Sequence, residues 1–394
     1  MAKTEKTQVA IIGSGPAGLM LGALLANAGI DSIILDRQSR QHIEGRIRAG
    51  ILEWGTVEAM VEAGAGDRMH TEGLPHDGFD IAFDGDRFRI DLKGLTNKQV
   101  MVYGQTELTR DLIDKRTNDH LEIVFSADNV QPLELSTSAP RVTYEKDGEA
   151  HEISCDYVAG CDGFHGICRR SIPGDVVKTF ERVYPFGWLG VLVEQPPVSH
   201  ELIYANNQRG FALCSMRSET RSRYYVQCPL EDTVDDWSDK RFWDELSVRI
   251  GSDAASNLKT GDSFEKSIAP LRSFVAEPMR HGSMFLAGDA AHIVPPTGAK
   301  GLNLAIADVQ MLARALTASL KSNDDTWIDR YSVDCLRRVW KVERFSWFMS
   351  AMLHQFPENS PFENRMQRAE FDHITGSETA ARSLAENYVG LPLD

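Results

Sequence analysis

Positive charge is in short supply. The 394 residues hold 42 Lys and Arg against 57 Asp and Glu, a formal net charge of -15. Nonspecific nucleic-acid binding and adhesion to an anionic membrane both need a basic face, so this balance argues against them. It leaves room for a small anion in a local basic pocket. Cysteine is sparse and scattered: Cys155, Cys161, Cys168, Cys214, Cys228 and Cys335, with no CxxC pair. Zinc and a disulfide framework are both disfavoured at this length, no metal ligand set is read, and small buried thiols are the expectation. Charge is missing altogether from residues 7–30, TQVAIIGSGPAGLMLGALLANAGI. That length suits a membrane helix, but Gly and Pro in GSGPAG break it. A basic n-region with a cleavage site is also lacking. The stretch reads as strand, tight turn and helix, and the chain is expected to be cytoplasmic. Internal repeats and low-complexity segments are absent.

What is there suits a soluble globular chain of two or three domains, with 42% hydrophobic and 25% charged residues. QVAIIG is a buried strand, PAGLMLGALLANAG a helix stopped at Gly29, and DSIILD the next strand, which makes one βαβ unit. Residues 50–65 read as helix, VMVYGQ as strand, and TELTRDLIDKRTN as a helix with Thr106 as N-cap. From about 184 the pattern changes: ELIYA, GFALCSMR and SRYYVQCP are short strands of a β-meander. Residues 236–257 read as helix, SMFLAGDAAH as another buried strand, PPTGAKGLN as a loop, and the rest as helices. The fold class is therefore α/β of mixed α+β character. A Rossmann-like nucleotide domain is split into residues 1–180 and 271–340. An antiparallel-sheet substrate domain is inserted at 181–270, and a helical region follows at 341–394.

GSGPAG supplies a GxGxxG with Gly13, Ser14, Gly15 and Gly18. The first glycine makes the turn, the second lets a pyrophosphate approach the backbone, and the third allows close helix–sheet packing. Asp36 ends the second strand, where a ribose-binding acid is expected. The motif alone does not separate NAD from FAD. The stretch GFALCSMRSETRSRYYVQCP poses a different problem: Arg217, Arg221 and Arg223 lie among Phe211, Leu213, Tyr224, Tyr225 and Val226. Locally, a solvated arginine cluster at a hairpin explains it as well as an anion site does.

GSGPAG, CDGFHG (161–166) and FLAGDAAHIVPPTGAKGLN (285–303) together resemble the three fingerprints of the FAD-dependent aromatic hydroxylases. The likeness runs on through GRIRAGILE, VYGQTELTRDL, VYPFGWLG, SHELIYAN, RSRYYVQ, LRRVWK, ERFSWFM and AENYVGLP, nearly the whole chain. It is with the members that act on 4-hydroxybenzoate. The resemblance implies FAD as cofactor, NADPH as cosubstrate with NADH as the alternative, and O2 activated as a flavin hydroperoxide. The implied product is 3,4-dihydroxybenzoate. It also implies a homodimer, with the helical region 341–394 as its interface. No second GxGxxG follows, so the nicotinamide cosubstrate has no Rossmann domain of its own.

Residue by residue, Ser215, Arg217 and Tyr225 match the family's carboxylate clamp, and Arg223 a residue that contacts the flavin and influences its movement. A planar two-pronged guanidinium is the suited partner for a buried carboxylate. Tyr204 matches the tyrosine bonded to the substrate hydroxyl, Tyr388 its relay partner and His76 the surface end of that relay. The carbonyl of Pro296 matches a further contact to the hydroxyl end. Arg46, Arg48, Gln105, Asp162, Asp289, Leu302 and Asn303 match flavin contacts, beside the glycine loop and Asp36, which stands where Glu is frequent. Arg37, Gln38, Arg48, His165 and Arg272 match positions for the nicotinamide cosubstrate. Near them Glu44 would repel a 2′-phosphate, whereas Arg37 and Arg40 would attract it.

Overall fold

A computed structural model describes residues 3–45 and 50–393. The uncharged stretch divides at its glycines and proline. Val9–Ile12 is a strand buried at every position, and Pro16–Asn27 is a helix opened by Pro16. Proline is tolerated there because the first helical N–H has no partner to lose. Gly29 turns the chain past the helix end with φ +64°. The strand lies inside a six-stranded sheet in the order Arg280–His281, Met284–Leu286, Tyr157–Gly160, Val9–Ile12, Ser32–Asp36, Ile123–Phe125. Pairing is parallel throughout except at the edge strand Arg280–His281. Three neighbouring strands thus come from the start, the middle and the late part of the chain. A four-stranded sheet (Lys3–Lys6, Glu149–Ser154, Arg141–Lys146, Asp128–Leu133) and a three-stranded sheet (Ile51–Leu52, Val100–Val102, Leu74–His76) accompany it.

The meander forms as the turn signals predict: Ile203–Asn206, Ala212–Met216 and Ser222–Cys228 pair antiparallel in succession. Its sheet is larger than residues 181–270, with eight strands. Lys178–Val193, Ser263–Glu277 and His292–Ile293 extend one side. On the other, Ile203–Asn206 pairs in parallel with Gly78–Phe83, which turns back into Asp86–Asp91. Residues 78–91, assigned from sequence to the nucleotide domain, therefore pair into the inserted sheet.

Both faces of this sheet are covered. Helix Asp239–Ala255 packs Phe242, Trp243, Leu246 and Ile250 on one face. Phe345, Met349, Phe371, Leu384 and Tyr388, from helices Thr326–Leu353, Pro361–Gly376 and Glu378–Val389, share the second core. Two-sided burial explains why Ala212–Met216 is buried at every position instead of alternating. The last two of these helices start on side-chain caps: Ser360 and Glu363 form a capping box, and Ser377 accepts from the Ala380 N–H. Helix Gln105–Asn118 starts on Gly104, to whose carbonyl the Leu108 N–H donates, so Thr106 lies in the first turn and is not the cap. All six cysteines are buried free thiols. Among the described residues no helix is long and apolar enough to cross a membrane, and no cluster of ligating side chains could hold a metal ion.

Candidate active site

The three glycines of the loop do three separate things. Gly13 has φ +107°, and a Cβ there would sit 2.2 Å from the Cys161 carbonyl oxygen. A Cβ on Gly18 would sit 1.9 Å from the Gly13 oxygen. A Cβ on Gly15 would meet nothing within 4 Å, because Gly15 faces a cavity of about 630 Å³. Asp36 braces the loop: its carboxylate accepts from the Ser14 N–H (2.7 Å), the Ser14 hydroxyl (2.9 Å) and the Gln38 N–H (2.8 Å). Of the roughly four lone-pair sites of a carboxylate, about one then remains for a ribose hydroxyl. Asp162 accepts from the Cys168 N–H at 2.9 Å, while its other oxygen is buried without a partner among the described residues.

The same cavity is lined by Gln105, Asp289 and Leu302, by Arg37 and Gln38, and by Tyr204, Ser215, Arg217, Arg223, Tyr225 and Pro296. Nucleotide-type and substrate-type residues thus share one space. Asn303 does not line it. Its amide is spent on the Glu53 N–H, the Thr56 hydroxyl and the carbonyls of Ile51 and Ala299, which leaves only its backbone for a ligand. Arg46 and Arg48 lie outside the described residues. His165 and Arg272 are brought together at the Phe164 ring, outside the cavity lining, with Arg272 paired to Glu181 at 3.1 Å. Arg40 is paired to Glu44 (2.6 Å) and Asp114 (2.5 Å). The opposed charges of Arg40 and Glu44 therefore engage each other, Asp114 adds a further negative charge, and Arg37 lines the cavity.

In the meander, Ser215 stands opposite Arg223, and Leu213 opposite Tyr225, so all four share one face. Arg217 donates to the Ser215 hydroxyl (2.8 Å) and to the Met216 carbonyl (3.1 Å), and its Nε is buried without a partner. Burial pushes its pKa down. Among the described residues it has no carboxylate partner, and a desolvated guanidinium in that condition is costly until an anion arrives. Arg223 differs: it is paired to Glu265 at 2.7 Å and lies 5.2 Å over the Tyr225 ring.

Tyr204 and Tyr388 are fully buried, and their hydroxyls are 2.9 Å apart. Phe79 stacks on Tyr388 at 4.2 Å and meets Tyr204 edge-on at 5.6 Å, which fixes both rings. Burial raises both pKa values. The sequence reading placed His76 at the surface end of the relay; it is instead 0% exposed. The strand Leu74–His76 pairs it inside, opposite Val100, with its Nε2 3.3 Å from the Met216 sulfur. Among the described residues its Nδ1 has no partner, and no direct hydrogen bond joins it to Tyr388. The Pro296 carbonyl already accepts from the Ala299 N–H at 2.9 Å, so it has one lone pair left.

Sequence reasoning missed three features. Lys300 is buried at the cavity wall, bonded to Glu53 (2.5 Å) and to the Tyr388 carbonyl (2.9 Å). The lone Lys in the apolar loop PPTGAKGLN was the available signal. Trp188 lines the cavity, and its indole N–H donates to His354 Nε2 at 2.7 Å, while His354 Nδ1 bonds the Ser350 carbonyl at 3.0 Å. That carbonyl only accepts, so His354 is the Nδ1–H tautomer. Glu265 is the third.

Two predictions arise here. Ala at Gly15 should leave the thermal stability of the FAD-free protein unchanged, yet weaken FAD by about tenfold or more, since its Cβ takes the ligand's space. Equal melting temperatures with unequal flavin retention would bear this out; a destabilised apo-protein would not. Burial holds the His354 pKa at about 3 and the His76 pKa at about 4, against an ordinary 6.5. Unfolding lets both bind protons, so stability is full above pH 6.5 and falls as pH drops towards 4 and 3. Each histidine should remove about 2 kcal/mol by pH 5. Denaturant midpoints across pH 5–7.5 check this, and Gln at His354 should flatten the slope.

The loop and orphan acceptor fit a dinucleotide: an open backbone face at Gly15, a free Asp162 oxygen and a braced Asp36 beside one large cavity. Comparison with known proteins agrees. A family model described as FAD binding domain matches residues 6–346, and the chain belongs to this family of flavoproteins. The chain is 55% identical over 393 residues to p-hydroxybenzoate hydroxylase of Acinetobacter baylyi, covering 100% of this chain and 97% of that protein. It is 23% identical over 351 residues to a probable NADH-specific resorcinol 4-hydroxylase of Rhodococcus jostii, over 84% of this chain and 63% of that one. Among solved structures, p-nitrophenol 4-monooxygenase PnpA of Pseudomonas putida superposes with a TM-score of 0.84 over 99% of this chain and 100% of its own, at 19% identity, which speaks for the fold.

Proposed function

We propose that this chain is a flavin-dependent monooxygenase that converts 4-hydroxybenzoate into 3,4-dihydroxybenzoate. One atom of O2 enters the ring, the other leaves as water, and NAD(P)H supplies the two electrons. The observation that carries this reading is an anion-seeking guanidinium, Arg217, and a tyrosine, Tyr204, in one cavity with the flavin loop, with Tyr388 hydrogen-bonded behind Tyr204. The 55% identity with p-hydroxybenzoate hydroxylase supports the same substrate.

Bound FAD supplies hydride acceptance from the nicotinamide and activation of O2. The chain's own residues do the rest. Arg217, Ser215 and Tyr225 hold the carboxylate. Tyr204 receives the phenol's hydrogen bond and passes the proton towards Tyr388. Burial disfavours a tyrosinate, so the pair works as a relay and not as a standing base. Loss of the phenol proton enriches the ring carbon ortho to the oxygen, which prepares it to take up oxygen. The Lys300 ammonium donates to the Tyr388 carbonyl while Glu53 balances its charge, so it holds Tyr388 in place. His76 serves as a relay terminus only through an intervening water or a side-chain movement. NADPH is the preferred cosubstrate with Arg37 at its phosphate; the working form is a cytoplasmic homodimer joined through the helices after 341.

Anaerobic flavin reduction by NADPH and by NADH, each with and without 4-hydroxybenzoate, tests the reading. A large acceleration by 4-hydroxybenzoate is expected. Fast, substrate-independent reduction with stoichiometric H2O2 in air would make the protein an oxidase instead.

A further inference from the structure

At the meander the cavity is lined by two guanidiniums, Arg217 and Arg223, and of these two only Arg217 lacks a carboxylate partner among the described residues. Strand register explains the difference. Arg223 stands opposite Leu192, and Leu192 opposite Glu265, so arginine and glutamate project from the same face two strands apart. The next row reads Tyr225, Gly190, Ser267. Gly190 leaves a notch: a Cβ there would lie 2.7 Å from the Tyr225 ring and 3.0 Å from Arg223 Nη2. Through this notch Arg223 reaches Glu265 at 2.7 Å and the Ser267 hydroxyl at 3.3 Å. Arg217, on the other side of Ser215, has hydroxyl and carbonyl contacts but no carboxylate. Arg217, Arg223 and Glu265 all line the one cavity.

We propose that Glu265 is a positioning residue that seats Arg223 across the Gly190 notch, withholds it from the substrate, and so makes Arg217 the partner of the substrate carboxylate. Two unpaired guanidiniums beside Tyr225 would compete for one carboxylate and hold it in two poses. An internal counter-ion on one of them removes the second pose and brings the three charges to a net +1, which matches a monoanionic ligand. This rests on the reading that the ligand is an aromatic carboxylate.

The test uses FAD-loaded protein and calorimetric titration with 4-hydroxybenzoate. Arg217→Ala should weaken binding about 100-fold. Adding Glu265→Gln to Arg217→Ala should recover at least about tenfold of that loss, because the released Arg223 takes over the carboxylate. Adding Arg223→Gln as a third change should abolish the recovery. A purely structural role for Glu265 gives the opposite sign, since the two losses would add. If Glu265→Gln retains no FAD, Glu265→Ala makes the same comparison with the same expected rescue. A double variant that binds no better than Arg217→Ala overturns the role of Glu265. Failure of the wild type to bind 4-hydroxybenzoate overturns the reading of the site itself.

Discussion

Replacing Tyr204 by Phe is expected to leave flavin reduction by NADPH running while aromatic product falls by roughly 100-fold, with H2O2 taking its place. The magnitude is that of a lost positioned proton acceptor. The geometry separates the two outcomes. The Tyr204 hydroxyl touches Tyr388 at 2.9 Å and no residue of the nucleotide loop, so its removal strikes the phenol proton and spares the electron supply. Phe keeps the ring that packs edge-on against Phe79, so the pocket keeps its shape. The measurement is product formed per NADPH consumed; an unchanged ratio would sink the relay.

Replacing Arg217 by Ala should raise the dissociation constant of 4-hydroxybenzoate by the equivalent of about 2–5 kcal/mol, the range for truncating one partner of a buried charge pair. Direction follows from the free protein: Arg217 pays for its burial before any ligand arrives, with its Nε unpartnered and its charge disfavoured. Lysine should rescue little, because one ammonium cannot reproduce the planar two-pronged grip. A ligand without the carboxylate, such as phenol, should lose far less than 4-hydroxybenzoate does. Equal losses for both would assign Arg217 to packing.

The strand, glycine turn and helix of residues 9–27 were legible because their signals are local: a β-branched run, three glycines, one proline. The meander was legible through its turns. Residues 78–91 were not placed in that sheet, since their partner strand Ile203–Asn206 lies far along the chain and leaves no periodic trace near Gly78. His76 misled for a related reason. A histidine beside Pro75 and Asp77 looks exposed, and only its pairing with Val100 buries it. At the site, Arg217, Tyr204 and Tyr388 came from resemblance; the structure puts Arg217 and Tyr204 on one cavity and Tyr388 against Tyr204. Asn303 was legible as a position but not as a group, because nothing local tells that its amide is committed to Glu53, Thr56 and two carbonyls. Glu265 and His354 act through other side chains, and such partners are set by register, which a single sequence does not display.

The six-stranded sheet places Val9–Ile12, Tyr157–Gly160 and Met284–Leu286 side by side. A growing polypeptide holds the first two long before the third leaves the ribosome. Closing such distant segments is the slow part of folding. The meander, whose partners are near neighbours, is free to form earlier. A nascent chain that stops short of Met284 has the glycine turn but not the cavity wall that carries Asp289. The cofactor thus arrives as a clasp on a nearly finished molecule, adding stability to the complete chain in proportion to its supply and none to fragments.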